Sequence, residues 1–242
     1  MRVTQLSEHI YSLGTWFIIP FHVWVVVEKD GVVLVDAGLP TMRKGILSLI
    51  DKLGKGPLTK ILLTHGHSDH VGSIKGILAD RKVPVYAHDI EKPLIEGKVG
   101  YPGRKPRAFL PSGIVQPLER SGDAIAMVGS LKPYLTPGHA PGHVVYHHQE
   151  DNILLAADLF WEKNGRLEIP RFSYDIPLVV ESGRIVTQLR PKQLEVCHGY
   201  TVRNPAEQYD GYVRDFRNSK AGALVTTAGR AAADAPSMQG RS

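Results

Sequence analysis

Over the first third of the chain, apolar residues alternate or cluster in short blocks separated by turn-forming residues. Ile10–Leu13, His22–Glu28 and Val32–Val35 read as strands, and Lys29-Asp30-Gly31 between the last two as a hairpin turn. From Leu39 the period changes. Met42, Ile46, Leu49, Ile50 and Leu53 fall at helical intervals, which predicts a helix over Leu39–Leu53 ended by Gly54. Ile61–Leu63 predicts a short buried strand running into Thr64-His65-Gly66-His67. A helix over Asp69–Ala79, a strand over Pro84–Ala87 and a short helix over Asp89–Glu96 follow.

Between Gly97 and Asp123 the periodicity fails, and prolines 102, 106, 111 and 117 interrupt the chain. So long an irregular segment in a folded domain suggests a task such as covering a site. Strands are expected again at Ala124–Val128, Pro133–Thr136, Val144–His148 and Ile153–Ala156. Pro177–Leu189 reads as a helix, Leu194–Cys197 as a strand and Pro205–Phe216 as a helix. The order of strands followed by helices occurs once in each half. The expected organisation is one domain over residues 1–217 and a low-complexity, flexible tail over 218–242.

The chain has 242 residues, enough to bury a core without disulfides, and its one cysteine, Cys197, excludes an internal disulfide framework. A 43% hydrophobic and 22% charged composition is that of a folded globular protein. The longest apolar run, Trp16–Val27, contains Pro20 and His22 and is too short for a bilayer-spanning helix. Residues 1–10 lack the apolar block of a signal peptide. A cytoplasmic protein with no membrane partner is expected. The net charge of +5 falls largely in the last 26 residues, which hold Arg217, Lys220, Arg230 and Arg241 against Asp234. No nucleic-acid partner is therefore expected.

Candidate chemistry concentrates in Thr64-His65-Gly66-His67-Ser68-Asp69-His70, directly after a predicted strand. Imidazole and carboxylate are the donors that borderline divalent metals such as zinc take, and a strand end followed by a turn can splay them around one point. Further donors stand at other predicted strand ends. These are His139 and His143 in Thr136-Pro137-Gly138-His139-Ala140-Pro141-Gly142-His143, then Asp158, then His198.

The pattern His65-X-His67-X-Asp69-His70, then Gly142-His143, Asp158 and His198, resembles the metallo-β-lactamase-fold hydrolases. The segment Thr136–His143 is similar to the corresponding loop of glyoxalase II and its relatives. The resemblance covers residues 2–216. It implies an α+β fold, a four-layer αββα sandwich of two mixed β-sheets flanked by helices. It implies two divalent ions, zinc first, with manganese, iron or cobalt as other occupants of the same ligands. His65, His67 and His143 would hold one ion, and Asp69, His70 and His198 the other. Asp158 would bridge them. A hydroxide between two cations forms near neutral pH, against about 15.7 for bulk water. Asp69 would orient it and pass a proton to the leaving group.

Other positions take supporting roles in this reading. His139 and Asp36 are expected in the outer shell, and Cys197 as a buried thiol turned away from His198 by strand alternation. His22, Tyr101, Phe109 and Trp161 are candidate substrate-pocket residues. No P-loop, dinucleotide fingerprint or nucleophile elbow is present.

Departures from neighbouring branches narrow the reaction. Zinc β-lactamases lack the bridging Asp found here as Asp158, flavodiiron proteins have Glu where this chain has His67, and lactonases usually carry Tyr where it has Trp161. The region after His198 is 44 residues and ends in a low-complexity tail, so the glutathione substrate of glyoxalase II is not expected. The expected function is a binuclear hydrolase acting on an ester, lactone or thioester bond of a small molecule. The alternatives are a phosphoester hydrolase, a non-catalytic metal-binding module, and a mononuclear iron persulfide dioxygenase with iron on His65, His143 and Asp158. A homodimer is compatible with any of them.

Overall fold

The computed structural model describes residues 1–219. The first half contains β1 (Arg2–Gln5), β2 (Ile10–Phe17), β3 (Ile19–Glu28), β4 (Gly31–Val35), α1 (Arg43–Leu53), β5 (Leu58–Leu62), α2 (Ser68–Val71), α3 (Ile74–Asp80), β6 (Val85–Ala87), α4 (Glu91–Ile95) and β7 (Val115–Pro117). The second contains β8 (Arg120–Ser121), β9 (Ala124–Ile125), β10 (Leu131–Leu135), β11 (Val144–His148), β12 (Ile153–Ala157), β13 (Trp161–Lys163), β14 (Arg166–Glu168), α5 (Ile176–Ser182), α6 (Ile185–Leu189), β15 (Gln193–Val196), β16 (Val202–Arg203) and α7 (Pro205–Asn218).

Strands β1 to β7 form one sheet in sequence order, antiparallel through β4 and parallel from β4 to β7. A second sheet has the order β10-β11-β12-β15-β16, with β12 and β15 parallel. Alternation along the second sheet explains the layering. On β11 and β12, Val144, Tyr146, Ile153 and Leu155 join the core shared with the first sheet. Their neighbours Val145, Leu154 and Ala156 pack instead with Val179, Val186, Tyr209 and Phe216 of α5, α6 and α7. A strand buried on both faces reads as a continuous apolar run, as Ile153–Ala157 does. On the far face of the first sheet, α1 and α3 bury Ile46, Ile50, Ile74 and Ile77. The result is the expected four-layer αββα sandwich of two mixed sheets.

Several predicted elements change in extent. The helix expected over Asp69–Ala79 is two, α2 and α3, broken at Gly72, where an added Cβ would press on Pro40 and the Gly38 carbonyl. The helix expected over Pro177–Leu189 divides around Gly183 and Arg184. The irregular Gly97–Asp123 segment contains β7 at the sheet edge and the short strand β8. Strands β1, β13, β14 and β16 were not anticipated. β1 is exposed along its whole length and has no buried face to pattern it. The tail expected from residue 218 lies outside the described residues, except that Asn218 closes α7 and Ser219 follows it. Among the described residues no helix is long and apolar enough to cross a membrane.

Candidate metal centre

The parallel pairs place the chemistry. β4 and β5 release the chain into Asp36 and into Thr64–His67, while β12 and β15 release it into Asp158 and His198. Asp36 adopts a left-handed conformation (φ 58°), and so does Ala157 just before Asp158 (φ 46°), where the β12 register shifts. These turns aim both carboxylates away from their strands.

Asp36 is fully buried and organises the first side of the site. Its Oδ1 accepts from the Thr64 amide at 2.9 Å and its Oδ2 from the Thr64 hydroxyl at 2.7 Å. The Nδ1–H of His70 donates to the same Oδ2 at 2.7 Å. That bond leaves His70 Nε2 facing Asp69 and Asp158, each at 3.7 Å, with no hydrogen-bond partner although it is buried. Carboxylate-held imidazoles of this kind are how proteins orient metal ligands. His198 is held likewise. Its Nδ1 donates to the Pro20 carbonyl at 3.0 Å, and its Nε2 lies 3.2 Å from Asp69 Oδ2 and 3.3 Å from Asp158 Oδ2.

Three imidazoles converge on the other side. His67 Nδ1 lies 3.0 Å from His65 Nε2 and 3.0 Å from His139 Nε2. His139 Nδ1 donates to the Ser173 hydroxyl at 3.2 Å, and that hydroxyl donates to the Pro170 carbonyl, which fixes the lone pair of His139 on Nε2. The Thr64 hydroxyl, whose proton goes to Asp36, accepts from His65 Nδ1 at 3.1 Å and fixes the lone pair of His65 on Nε2. Burial, reinforced by neighbouring imidazoles, holds His65 well below its ordinary pKa and His67 down at about 3. Burial is also the main cause of the lowered value at His139. All three are therefore neutral at physiological pH, the form that binds metal.

The carboxylate side is charged. Burial opposes ionisation of Asp158, but His198, His70 and His139 hold its carboxyl well below the carboxylate range. Burial likewise works against protonation of His70 and His198, yet Asp36 at the first and Asp158 at the second raise both. Asp158 Oδ2 is 3.3 Å from His139 Nε2 as well as from His198, so this one carboxylate touches both sides. Its Oδ1 is buried without a hydrogen-bond partner. The buried, unpaired His70 Nε2, His143 Nε2 and Asp158 Oδ1, together with the converging imidazoles, fit divalent cations.

His139, expected as support, stands in the three-imidazole group, and His143, expected as a ligand, adds a buried imidazole beside His65, their ring centres 5.2 Å apart. His143 is fully buried just ahead of β11; its Nδ1 lies 2.9 Å from the Thr136 hydroxyl and its Nε2 has no hydrogen-bond partner. Gly138 (φ 128°) packs its backbone on Val179 so closely that a Cβ there would overlap it. Cys197 also departs from expectation. β15 ends at Val196, alternation stops there, and the thiol lies with Asp69, His70 and His198. His22 does not line the site cavity. It bonds Ser12 Oγ at 2.9 Å, packs on Gly14 and meets Tyr200, and burial lowers its pKa to about 4.

Tyr101, Phe109 and Trp161 do line the cavity of about 320 Å³ that opens onto His67, Asp69, His139, Asp158 and His198. Glu91 is a residue the sequence reading missed. It is fully buried, and it accepts from Gly66 N (3.0 Å) and Tyr101 Oη (2.5 Å) on Oε2 and from Gly142 N (2.8 Å) on Oε1. One carboxylate thus ties the His65–His67 turn, the 136–143 loop and a cavity wall. Nothing in the residues around Glu91 marks it in the sequence.

A sandwich of this topology, with His and Asp donors at the strand ends between its sheets, defines a metal-dependent hydrolase. The sequence profile of the metallo-beta-lactamase superfamily matches residues 21–215, and the chain belongs to that superfamily. It is 38% identical over 225 residues to the probable metallo-hydrolase YybB of Bacillus subtilis (strain 168), covering 90% of this chain and 100% of that one. It is 37% identical over 227 residues to the probable metallo-hydrolase YflN of the same organism, covering 81% and 85%. Among solved structures, a metallo-beta-lactamase from Pontibacter korlensis shares the fold with a TM-score of 0.68 at 21% identity, covering 90% of this chain and 99% of that one. TTHA1623, solved in a di-iron-bound form, has a TM-score of 0.61 at 26% identity, covering 80% and 94%.

Proposed function

We propose that the protein is a binuclear hydrolase of ester, lactone or thioester bonds in small molecules. The observation that carries this reading is Asp158, whose carboxylate stands 3.3 Å from His139 Nε2 on the neutral side of the site and 3.3 Å from His198 Nε2 on the charged side. His65, His67 and His143 would hold one divalent ion, and Asp69, His70 and His198 the other, with Asp158 shared. When bound, such ions supply Lewis acidity and a hydroxide nucleophile at neutral pH.

The chain's own residues set the rest. Asp36, Ser173 and the Pro20 carbonyl lock the tautomers of His70, His139 and His198, so their free nitrogens need no reorganisation. Asp69 is only partly buried, lines the cavity, and is kept ionised by His70 and His198 against the cost of burial. It is placed to orient a water molecule and to carry its proton to the departing alkoxide or thiolate. Tyr101, Phe109 and Trp161 wall the cavity and exclude water from the apolar part of a substrate. Zinc is the first occupant to test, and the di-iron form of TTHA1623 makes iron the named competitor.

Elemental analysis of the purified protein, followed by hydrolysis of an ester, lactone and thioester panel, tests the reading. About two ions per chain, with activity lost on chelation and restored by metal, is the expected result. One iron per chain with oxygen uptake on a persulfide would replace the proposal with oxygen-dependent sulfur chemistry.

A further inference from the structure

We infer that the cavity takes an anionic substrate, an ester or thioester whose end away from the scissile bond carries a phosphate or carboxylate held by Arg104, Lys105, Arg107 and Arg171. The inference rests on the hydrolase reading above and narrows its substrate class.

The four basic side chains line the same cavity as the metal-ligating residues, yet come from two separate segments. Arg104, Lys105 and Arg107 belong to the loop after α4, and Arg171 to the stretch between β14 and α5. The acidic residues lining the cavity, Asp69 and Asp158, face the metal-binding nitrogens. Among the described residues none of the four bases has an acidic partner within ion-pair distance. Basic residues nearby do find one: Lys98 pairs with Glu96 at 2.6 Å and Arg120 with Asp89 at 3.5 Å. Pairing thus removes two of the loop's cations and leaves free those that line the cavity.

The free cations also have shape. The Arg107 guanidinium lies 5.6 Å from the centre of the Phe109 ring, and that of Arg171 lies 5.8 Å from Trp161. A guanidinium stacked on an aromatic face keeps its planar fork of donors oriented and available, which suits bidentate binding of a phosphate or carboxylate. Nor is the loop a loose coil. Arg104 N donates to the Tyr101 carbonyl at 2.8 Å, Phe109 N to Ile95 at 2.9 Å, and Gly97 (φ 71°) packs on the Ala108 backbone. One cavity therefore brings together the four cations, an aromatic wall and the metal-binding residues. A cavity of about 320 Å³ limits the substrate to a small molecule.

The test uses the metal-loaded protein and three 4-nitrophenyl esters of one chain length, ending in carboxylate, phosphonate or neutral carboxamide. The expected kcat/KM for the better anionic ester exceeds that for the carboxamide by about tenfold or more. The excess should shrink when salt is raised from about 0.05 to 0.5 M, as screening requires. It should fall toward unity, through KM, in Arg104→Ala/Arg107→Ala and in Arg171→Ala, and stay unchanged in Lys55→Ala. The carboxylate and phosphonate arms identify the anion. Equal ratios in wild type and arginine variants, or a preference for the carboxamide, overturn the inference.

If no ester is cleaved, the hydrolase reading fails separately. The inference is then read by calorimetric titration with glutarate and with a phosphonate of the same length. Binding weakened about tenfold in the arginine variants upholds the anion site. Absent binding, or binding indifferent to those substitutions, refutes it.

Discussion

Replacing Glu91 should loosen the metal centre without touching a ligand. Its carboxylate accepts three hydrogen bonds in a fully buried position, from Gly66 N, Gly142 N and Tyr101 Oη. Gly66 separates His65 from His67, and an added Cβ there would overlap Ile95 of α4, so the ligand turn rests directly on the helix that carries Glu91. In Glu91→Ala two backbone amides lose their only partner at that site, at about 1–3 kcal/mol each. Part of this is offset, because burial already disfavours the charge and raises the Glu91 pKa. A net loss of about 2–4 kcal/mol follows.

Glu91→Gln is the sharper variant. One amide oxygen can serve either Gly142 or the Gly66–Tyr101 pair, and the NH₂ must face a donor on the other side. We expect a stability loss of about 1–3 kcal/mol and a fall in metal affinity of about 10–100-fold, the range for outer-shell partners. Urea melts of the apo-protein give the first quantity, and zinc titration against a competing chelator the second. A Glu91→Gln variant that binds zinc as tightly as wild type, at any stability, would refute the claim that this carboxylate positions the ligand turn. A cycle with Tyr101→Phe isolates the phenol bond, and zero coupling there would remove Tyr101 from the arrangement.

Four further outcomes follow from the geometry. His143→Ala should weaken metal binding by more than about 100-fold and His139→Ala by less, beyond and within the outer-shell range respectively; chelator competition giving the reverse order would make His139 the ligand. Asp36→Asn tolerates the left-handed backbone but loses the charged bond to His70, so metal affinity should fall about 10–100-fold while the fold, read by circular dichroism, is kept. Asp69→Asn should lower kcat by about 10²–10⁴-fold, the span for a positioned proton carrier, and normal turnover with full metal content would exclude the role. His9 gains a proton-stabilising bond from Asp151 Oδ1 at 3.0 Å, which raises its pKa despite the opposing effect of burial. A group raised in the folded state stabilises below its unfolded pKa of about 6.5, and that contribution is lost as pH rises through the folded value. His9→Gln should therefore destabilise at pH 5.5 by at most about 1 kcal/mol and not at pH 9, and a pH-independent difference in denaturant melts would contradict this.

The sequence showed what local pattern governs and missed what depends on the third dimension. Strands β4 and β12 are apolar runs that lead into Asp36 and Asp158, and each was legible because a strand buried on both faces beside a parallel neighbour has no polar face to confuse it. The hairpin β13–β14 and the edge strand β1 were illegible because their burial is partial or absent. The same distinction decides the site. His65, His67, Asp69 and His70 follow one strand end, and their convergence could be read from spacing alone. His139 and His143 sit four residues apart in one loop, with equal chemical claims. Spacing cannot choose between them, because what orients each ring is set by folding: Ser173 holds Nδ1 of His139, and Thr136 holds Nδ1 of His143 and leaves its Nε2 unpaired. Strand alternation failed at Cys197 for a related reason: it holds only while the strand lasts, and β15 stops one residue earlier. Glu91 is the extreme case. It touches no ligand side chain, yet its two oxygens join Gly66, Gly142 and Tyr101, residues separated by up to 76 positions. Donors can be found in a sequence because their chemistry is rare, whereas the groups that hold donors in place use ordinary residues and become visible only when the chain has folded.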